Sequence, residues 1–191
     1  MSSASNLKPE LLTAEALLAL PDPPKRCELI RGELIPMSPA GGNHGNITHR
    51  LNRMIDRFLE RSGLGPDGKE LFAAETGFIL VRNPDTVRAP DIAYITTERL
   101  PEARTPKFIP IPPDLAVEVN SPNDRASDVT EKVTWWLTHG VRLVWVVDPQ
   151  SQTVTAYHPD GTARVHHADQ PLDGGDVLPG FTAKLKDIFG D

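Results

Sequence analysis

Glu118 is a charged residue in a segment where apolar residues are expected. It lies inside the run LAVEV at 115–119, which is apolar enough to form a central strand with both faces covered. Alternation along that strand places Glu118 on the face opposite to Leu115 and Val119. A buried carboxylate is costly unless it is paired or binds a metal. Glu118 is therefore interpreted either as a metal ligand or as a salt-bridged residue at a strand end.

Asp91 and Lys132 depart from their local patterns in a similar way. Asp91 follows Pro90, a residue typical of edge or irregular strand positions, although aspartates after proline are also common in turns. Lys132 lies on or beside the apolar stripe of a predicted helix, three residues after Val129 and four before Trp136. Its ammonium is expected either to reach a polar pocket at the end of the preceding strand or to extend into solvent.

These three side chains together indicate metal-assisted chemistry on a phosphate ester. Two carboxylates on neighbouring strands can hold Mg²⁺, which prefers oxygen ligands and keeps several waters. The metal lowers the pKa of a bound water and neutralises charge on the phosphate. A nearby lysine can orient the water or stabilise the pentacovalent phosphorus centre. We therefore expect phosphodiester hydrolysis with Mg²⁺ as the cofactor and Mn²⁺ as a possible substitute.

Hydrophobic periodicity and turn residues predict a mixed sheet flanked by helices, of the α/β or α+β class. The predicted helices are 14–20, 46–61, a segment that Asp124 or Ser127 caps and His139 ends, and 183–189. The predicted strands are a hairpin at 27–35, a second hairpin of 72–82 with 87–95, then 114–120, 143–147, and a hairpin of 153–158 with 164–167. Residues 38–45 are predicted to form a loop, and 114–147 has the length of a strand–helix–strand crossover with parallel strands.

Length and composition limit the class of protein. A chain of 191 residues is typical of one domain, predicted here at 13–191 after a flexible lead-in at 1–12. A single cysteine, Cys27, excludes an internal disulfide and a zinc site built from several cysteines. No apolar run is long enough to span a membrane, and the first ten residues lack the pattern of a secretory signal. We therefore expect a cytoplasmic protein with no membrane partner.

The charge balance bears on the expected partner. The chain has 20 Lys+Arg and 26 Asp+Glu, a net charge of −6, whereas nucleic-acid binders commonly carry a basic excess. Four arginines nevertheless recur at steps of three and four on the predicted helix at 46–61. They are Arg50, Arg53, Arg57 and Arg61. This stripe is interpreted either as a weak nucleic-acid contact or as an ordinary solvated face, because acidic residues interrupt it.

Six segments carry a resemblance to a known family. They are TAEALLALPDPP, CELIRGELIPMSP, APD, PDLAVEVNSPND, EKVTWWLTHGV and LVWVVDP. In this order they resemble the Uma-two family of putative restriction endonucleases, part of the PD-(D/E)XK nuclease superfamily, from about residue 13 to residue 188. The resemblance implies a restriction-endonuclease-like fold and cleavage of nucleic acid, with DNA as the expected substrate. A homodimer would suit cleavage of two strands.

The resemblance also implies roles for the charged residues. Asp91 would be the aspartate of the PD motif and Glu118 the second acid, so that both would be metal ligands. The family motif places a lysine two residues after the second acid, where this chain has Asn120. In similar nucleases the lysine has moved to the following helix, so Lys132 is expected to position or activate the water.

Two further residues match positions of the family pattern. Glu28 would be an additional acid that binds the metal directly or through water and assists catalysis, and its alternative is a solvated glutamate at a hairpin edge. His44 would contact a phosphate or hold Glu28 or Asp91. Its alternative is a residue at a helix entry that bonds backbone.

Two other functions stay open at this point. Asn120 in the lysine position and the acidic balance favour a catalytically silent nuclease fold that binds nucleic acid or protein. A weaker alternative is a metal-dependent hydrolase that acts on another phosphoester.

Overall fold

The structure, a computed structural model, describes residues 11–22, 26–65 and 69–190. Its helices are α1 (Ala14–Leu18), α2 (Gly42–Ser62), α3 (Leu100–Ala103), α4 (Ala126–Thr138) and α5 (Leu185–Phe189). Its strands are β1 (Cys27–Ile30), β2 (Glu33–Pro36), β3 (Leu71–Ala73), β4 (Phe78–Val81), β5 (Thr86–Arg88), β6 (Ile92–Tyr94), β7 (Leu115–Val119), β8 (Leu143–Asp148), β9 (Thr153–Tyr157), β10 (Ala163–His166), β11 (Pro171–Gly174) and β12 (Leu178–Lys184).

Within the described residues, the strands form one large sheet and two smaller ones. The large sheet has six strands in the order β10-β9-β8-β7-β6-β3, and the second has four in the order β2-β1-β5-β4. Strands β7 and β8 are parallel and α4 connects them, which confirms the predicted crossover. The other neighbours in the large sheet are antiparallel. The mixed sheet with flanking helices is therefore confirmed.

Strand β7 separates two apolar cores. Leu115 and Val119 face the core under α2, α5 and β12, whereas Ala116 faces the core that contains Trp136 of α4. The alternation predicted from the sequence is thus observed. Because Glu118 shares its face with Ala116, its carboxylate lies on the α4 side of the sheet.

Two predicted long strands are each divided between sheets. The segment 72–82 forms β3 and β4, and 87–95 forms β5 and β6. Between β5 and β6 the chain passes through Ala89-Pro90-Asp91. Pro90 has no N–H to donate to a ladder, so pairing stops there and resumes in the other sheet. The prediction of continuous strands was wrong, and Asp91 lies where the chain crosses between the sheets.

Helix α2 begins at Gly42, inside the segment predicted as a loop at 38–45. Gly41 is its N-cap and provides no side-chain hydrogen bond, and glycine has a low helix propensity. The first turn is closed by the Gly45 N–H on the Gly41 carbonyl at 3.1 Å. His44 in this turn also contacts Asp91. A tertiary contact therefore accompanies a turn that local propensity disfavours.

Other element ends also differ from the predictions. Arg125 is the N-cap of α4, and Asp124 instead accepts a hydrogen bond from the Ser121 N–H at 2.8 Å. The hairpin of β11 and β12 was not predicted, and it delays the start of α5 to Leu185. The hairpin of β1 and β2 around Arg31-Gly32 is confirmed, with φ of +80° at Gly32.

The predicted lead-in is only partly described. Its residues 1–10 lie outside the described residues, and Leu12 donates its N–H to the Gly32 carbonyl at 2.9 Å. A single domain over 13–191 stays a prediction. No helix in the described part of the chain is both long and apolar enough to cross a membrane.

A buried carboxylate ties α1 to the hairpin of β4 and β5. Asp85 accepts hydrogen bonds from the Ala14 N–H at 2.8 Å and from Arg82 at 3.1 Å, and it is 6% exposed. Burial raises the pKa of Asp85, but the backbone N–H groups of Ala14 and Asn83 together with the Arg82 guanidinium outweigh burial, and the pKa lies below its usual value.

We expect Asp85→Ala to lower the free energy of unfolding by about 1–3 kcal/mol, because the Ala14 N–H loses its buried acceptor. The stabilisation from Asp85 is present above its unfolded-state pKa and is lost as the pH falls through its lower folded-state pKa. The difference in the free energy of unfolding between wild type and Asp85→Ala should therefore become smaller at acid pH. Urea unfolding at neutral and acid pH measures both effects. The exposed Asp176 provides the control Asp176→Ala, and equal losses in the two variants would contradict this role.

Candidate active site

A cleft of about 900 Å³ lies between the two larger sheets and the ends of α2 and α4. Its lining includes all the acidic, lysine and histidine residues that the sequence indicated for chemistry. They are Glu28, His44, Asp91, Glu118 and Lys132. The structure therefore brings together in one cavity residues that are up to about a hundred positions apart in the sequence.

Glu118 lies near the carboxyl end of β7 and is held by two side chains of α4. Its Oε2 accepts a hydrogen bond from Lys132 Nζ at 3.0 Å, and its Oε1 accepts one from the Trp136 indole N–H at 2.8 Å. Lys132 and Trp136 are four residues apart, so they share a face of the helix. Both carboxylate oxygens thus have a donor, which a buried carboxylate requires.

Burial and charge act in opposite directions on this ion pair. Burial raises the pKa of Glu118; the Lys132 ammonium opposes the rise, and the carboxylates of Asp91 and Glu28 add to it. Burial disfavours the charged form of Lys132, but the carboxylates of Glu118 and Glu28 outweigh it and hold the pKa of Lys132 above its usual range. Lys132 therefore stays protonated and is the counterion of this group of acids.

Asp91 is held by two contacts to one of its carboxylate oxygens. Its Oδ2 accepts a hydrogen bond from the Val119 N–H at 2.8 Å and lies 3.2 Å from His44 Nε2. The hydrogen bond to Asp91 raises the pKa of His44, and burial partly opposes the rise. The other oxygen, Oδ1, accepts no hydrogen bond from the described residues. His44 thus supports Asp91, and one carboxylate oxygen is left for a ligand.

Glu28 extends from β1 towards the same group of charges. It is 6% exposed, so the alternative of a solvated residue at a hairpin edge does not hold. Its Oε1 lies 3.4 Å from the Ala89 nitrogen, which donates to it, and 3.8 Å from Lys132 Nζ. Glu28 is therefore a second carboxylate beside the lysine.

The chemistry of these donors fits a divalent cation in an open site. In the described ranges, no group of three or more His, Cys, Asp or Glu side chains is arranged to hold a metal ion. Mg²⁺, however, is usually bound by one or two carboxylates with waters and phosphate oxygens. Asp91 has an oxygen without a hydrogen bond, and Glu118 would share an oxygen that already accepts from Lys132 or Trp136. A carboxylate oxygen has two lone pairs, which permits such sharing.

The predicted basic stripe on α2 lies away from the cleft. Arg50, Arg53 and Arg57 are not among the residues that line it. Arg50 donates to the Phe189 carbonyl at 2.8 Å and so ties α2 to α5, and Arg61 donates to the Arg57 carbonyl at 3.1 Å. Contact of these arginines with nucleic acid stays a prediction.

Two residues of the site were missed at the level of the sequence. Trp136 was interpreted only as part of the apolar stripe of the predicted helix. A buried indole N–H usually needs an acceptor, and that need could have indicated its bond to Glu118. Arg88 also lines the cleft, and it pairs with Glu131 of α4 at 2.9 Å. No local signal identifies that pair, because its partners are distant in sequence.

Comparison with known proteins adds a family and a fold. A family model, Uma2, described as "Putative restriction endonuclease", matches residues 14–186. A crystal structure of a putative nuclease belonging to DUF820 from Anabaena variabilis is similar, with a TM-score of 0.74 and 24% identity, over 94% of this chain and 98% of that chain. At that identity the similarity shows the fold alone, and it confirms the predicted fold class. No curated protein is significantly similar to this chain.

We expect Lys132→Met to lower the free energy of unfolding by about 3–5 kcal/mol at neutral pH, because Glu118 loses its buried counterion. A carboxyl group whose folded-state pKa is raised stabilises the fold fully below its unfolded-state pKa and loses that effect as the pH rises through the folded-state value. Removal of Lys132 raises the pKa of Glu118 further. The free energy of unfolding of the variant should therefore be closest to that of wild type at acid pH.

Urea unfolding over a range of pH values measures this difference. Lys107→Met replaces an exposed lysine and should change the free energy of unfolding by less than about 0.5 kcal/mol. A deficit of Lys132→Met that does not change with pH would contradict the pairing with Glu118.

Proposed function

Because this chain belongs to the Uma2 family of putative restriction endonucleases, we propose that it is a Mg²⁺-dependent endonuclease that hydrolyses phosphodiester bonds in DNA. The observation that supports this most strongly is the convergence of Asp91, Glu118 and Lys132 in one cleft. The similar Anabaena protein is itself described as a putative nuclease. Mn²⁺ is expected to replace Mg²⁺, since both prefer oxygen ligands.

Asp91 and Glu118 would hold the cation. Bound Mg²⁺ would neutralise charge on the phosphate and lower the pKa of the attacking water. Asp91 would contribute the oxygen that has no hydrogen bond, while Val119 and His44 fix the other one. That anchoring keeps the carboxylate in one orientation, which catalysis by positioning requires.

Lys132 would act as a positively charged donor. Its ammonium has three N–H donors, of which Glu118 accepts one at 3.0 Å. The remaining donors can orient the water and stabilise the negative charge that develops on the phosphate oxygens as the water oxygen bonds to phosphorus and the leaving P–O bond breaks. Because the pKa of Lys132 is raised, it would not accept the proton of the water. Glu28, whose Oε1 lies 3.8 Å from the ammonium, is the carboxylate that would accept this proton.

Asn120 does not prevent this mechanism. It lines the cleft and has an amide in place of the ammonium that the family motif provides there. Lys132 brings an ammonium from α4 to the same carboxylate that the motif lysine would neighbour. The positive charge is thus present, although it comes from a different element.

A catalytically silent binding module is the second candidate. It is favoured by the ion pair at Glu118, because Lys132 and Trp136 already satisfy both oxygens of this carboxylate. In such a protein the charges would stabilise the fold and would bind no metal.

Cleavage assays on plasmid and single-stranded DNA with Mg²⁺ or Mn²⁺ test the proposed nuclease. We expect Asp91→Asn and Glu118→Gln each to lower the rate by at least about 100-fold, because each removes a negative charge that the metal-assisted transition state needs. Glu102→Gln, an exposed change on α3 outside the cleft, should retain the wild-type rate. Full activity in the two site variants would contradict the assignment.

Calorimetric titration with Mg²⁺ or Mn²⁺ separates the two candidates. The proposed nuclease should bind the cation at millimolar concentrations, and Asp91→Asn should weaken that binding because it removes a charged ligand. The same titration of Glu102→Gln is the control. If the wild-type protein binds neither cation, the silent module is favoured.

A further inference from the structure

Arg88 is a buried cation in the cleft wall that the proposed mechanism does not use. It ends β5, three residues before Asp91, and it is 5% exposed. Its guanidinium carbon lies 5.1 Å from the centroid of the Trp135 ring, a distance typical of a cation–π contact. The side chain is therefore held in place by packing as well as by charge.

One donor of this guanidinium is unsatisfied. The Nε–H of Arg88 is buried and has no hydrogen-bond partner in the described part of the chain. A buried donor without an acceptor costs free energy. Arg88 is thus arranged to accept a further anionic ligand atom beside the partner that it already has.

That partner, Glu131, is easily displaced. The Arg88 NH2 donates to Glu131 Oε1 at 2.9 Å, and the side chain of Glu131 is 70% exposed while that of Arg88 is 6% exposed. An exposed side chain loses little when it leaves an ion pair. A buried guanidinium, by contrast, cannot remain without an anion at low cost. A ligand that replaced Glu131 would therefore have to be anionic.

A phosphate group meets the need for an anion better than a carboxylate that, like Glu131, binds the guanidinium through a single oxygen. Guanidinium binds phosphate through two parallel N–H···O bonds, and a phosphate that bridged NH2 and Nε would satisfy the unpartnered donor. The position also suits a polynucleotide. Glu131 precedes Lys132 on α4, and Arg88 precedes Ala89, whose N–H contacts Glu28, so the pair adjoins the carboxylates of the cleft.

We propose that Arg88 binds a phosphate of the DNA chain next to the scissile one, and that Glu131 occupies this subsite until the substrate displaces it. The subsite rests on the proposed function, because the cleft and the class of substrate are those of the proposed nuclease. Glu131 is then a competitor of the substrate, and its removal strengthens binding.

The test is fluorescence anisotropy with a fluorescein-labelled single-stranded oligodeoxynucleotide at low salt in the presence of a chelator, which prevents metal-dependent cleavage. We expect Glu131→Gln to bind the probe about two- to five-fold more tightly than wild type, which corresponds to the loss of one exposed ion pair. Arg88→Lys keeps the charge but loses the planar fork, and it should bind about ten-fold more weakly. Inorganic phosphate should compete with the probe in the wild-type protein.

Two controls separate this effect from general electrostatics. Glu33→Gln removes the same charge from an exposed residue of the cleft lining and should have a smaller effect than Glu131→Gln. In the Arg88→Lys background, Glu131→Gln should no longer strengthen binding, because contacting residues are not additive. Thermal unfolding verifies that each variant is folded.

The proposal is overturned if Glu131→Gln binds no more tightly than Glu33→Gln, if its gain persists in Arg88→Lys, or if inorganic phosphate does not compete. These results are independent of catalysis. If the expected binding pattern is found and no cleavage is detected with any metal, the subsite stands and the nuclease mechanism fails. If cleavage occurs without that pattern, the subsite alone fails.

Discussion

Glu118 lies on a strand that is buried along its whole length. The negative charge of its carboxylate therefore has to be compensated by neighbouring groups of the protein. Removal of a carboxylate from water costs several kcal/mol unless charge and hydrogen bonds compensate for it. The parallel crossover supplies that compensation, because it returns α4 across the face of β7 with Lys132 and Trp136 one helical turn apart. The topology of the large sheet and the chemistry of the cleft thus depend on the same contact.

The need to compensate buried charge also applies to the charged residues around Glu118. Glu28 comes from one sheet, and Asp91 comes from the crossing between the two sheets. Three carboxylates therefore share one ammonium and the imidazole of His44, which leaves a local excess of negative charge. Nearby like charges raise the free energy of the ionised acids, and a bound cation relieves that repulsion. The acidic balance of the whole chain thus has a local counterpart in the cleft. Arg88 and Glu131 nearby form a neutral pair.

The sequence permitted prediction of the parts that depend on periodicity. Alternation along β7 was enough to place Glu118 on the face opposite to Leu115, and the spacing on α4 placed Lys132 beside Trp136. The resemblance to a family indicated Glu28 and His44 as candidate functional residues. Periodicity alone did not indicate either of them. The structure places Glu28 beside Lys132 and His44 beside Asp91, and their roles stay a prediction.

Other features could not be predicted, because they depend on contacts between distant residues. Pro90 indicated an irregular position in the strand. The change of sheet after Pro90 could not be predicted, because it depends on the pairing of β6 with β3 and β7. The pair of Arg88 and Glu131 joins residues more than forty positions apart. The early start of α2 is a similar case, since glycine propensity favours a loop and a contact with another segment accompanies the helix.

That first turn of α2 links the state of the cleft to the order of the backbone. It has glycine at its cap and at two of its first four positions, so little of its stability is intrinsic. The hydrogen bond of His44 to Asp91 connects this turn to the crossing between the two sheets. Whatever changes the charge at Asp91 also changes the strength of that bond, and with it the free energy of local opening. We therefore expect the exchange rate of the Gly45 amide, which closes this turn on the Gly41 carbonyl, to depend on the charge at Asp91.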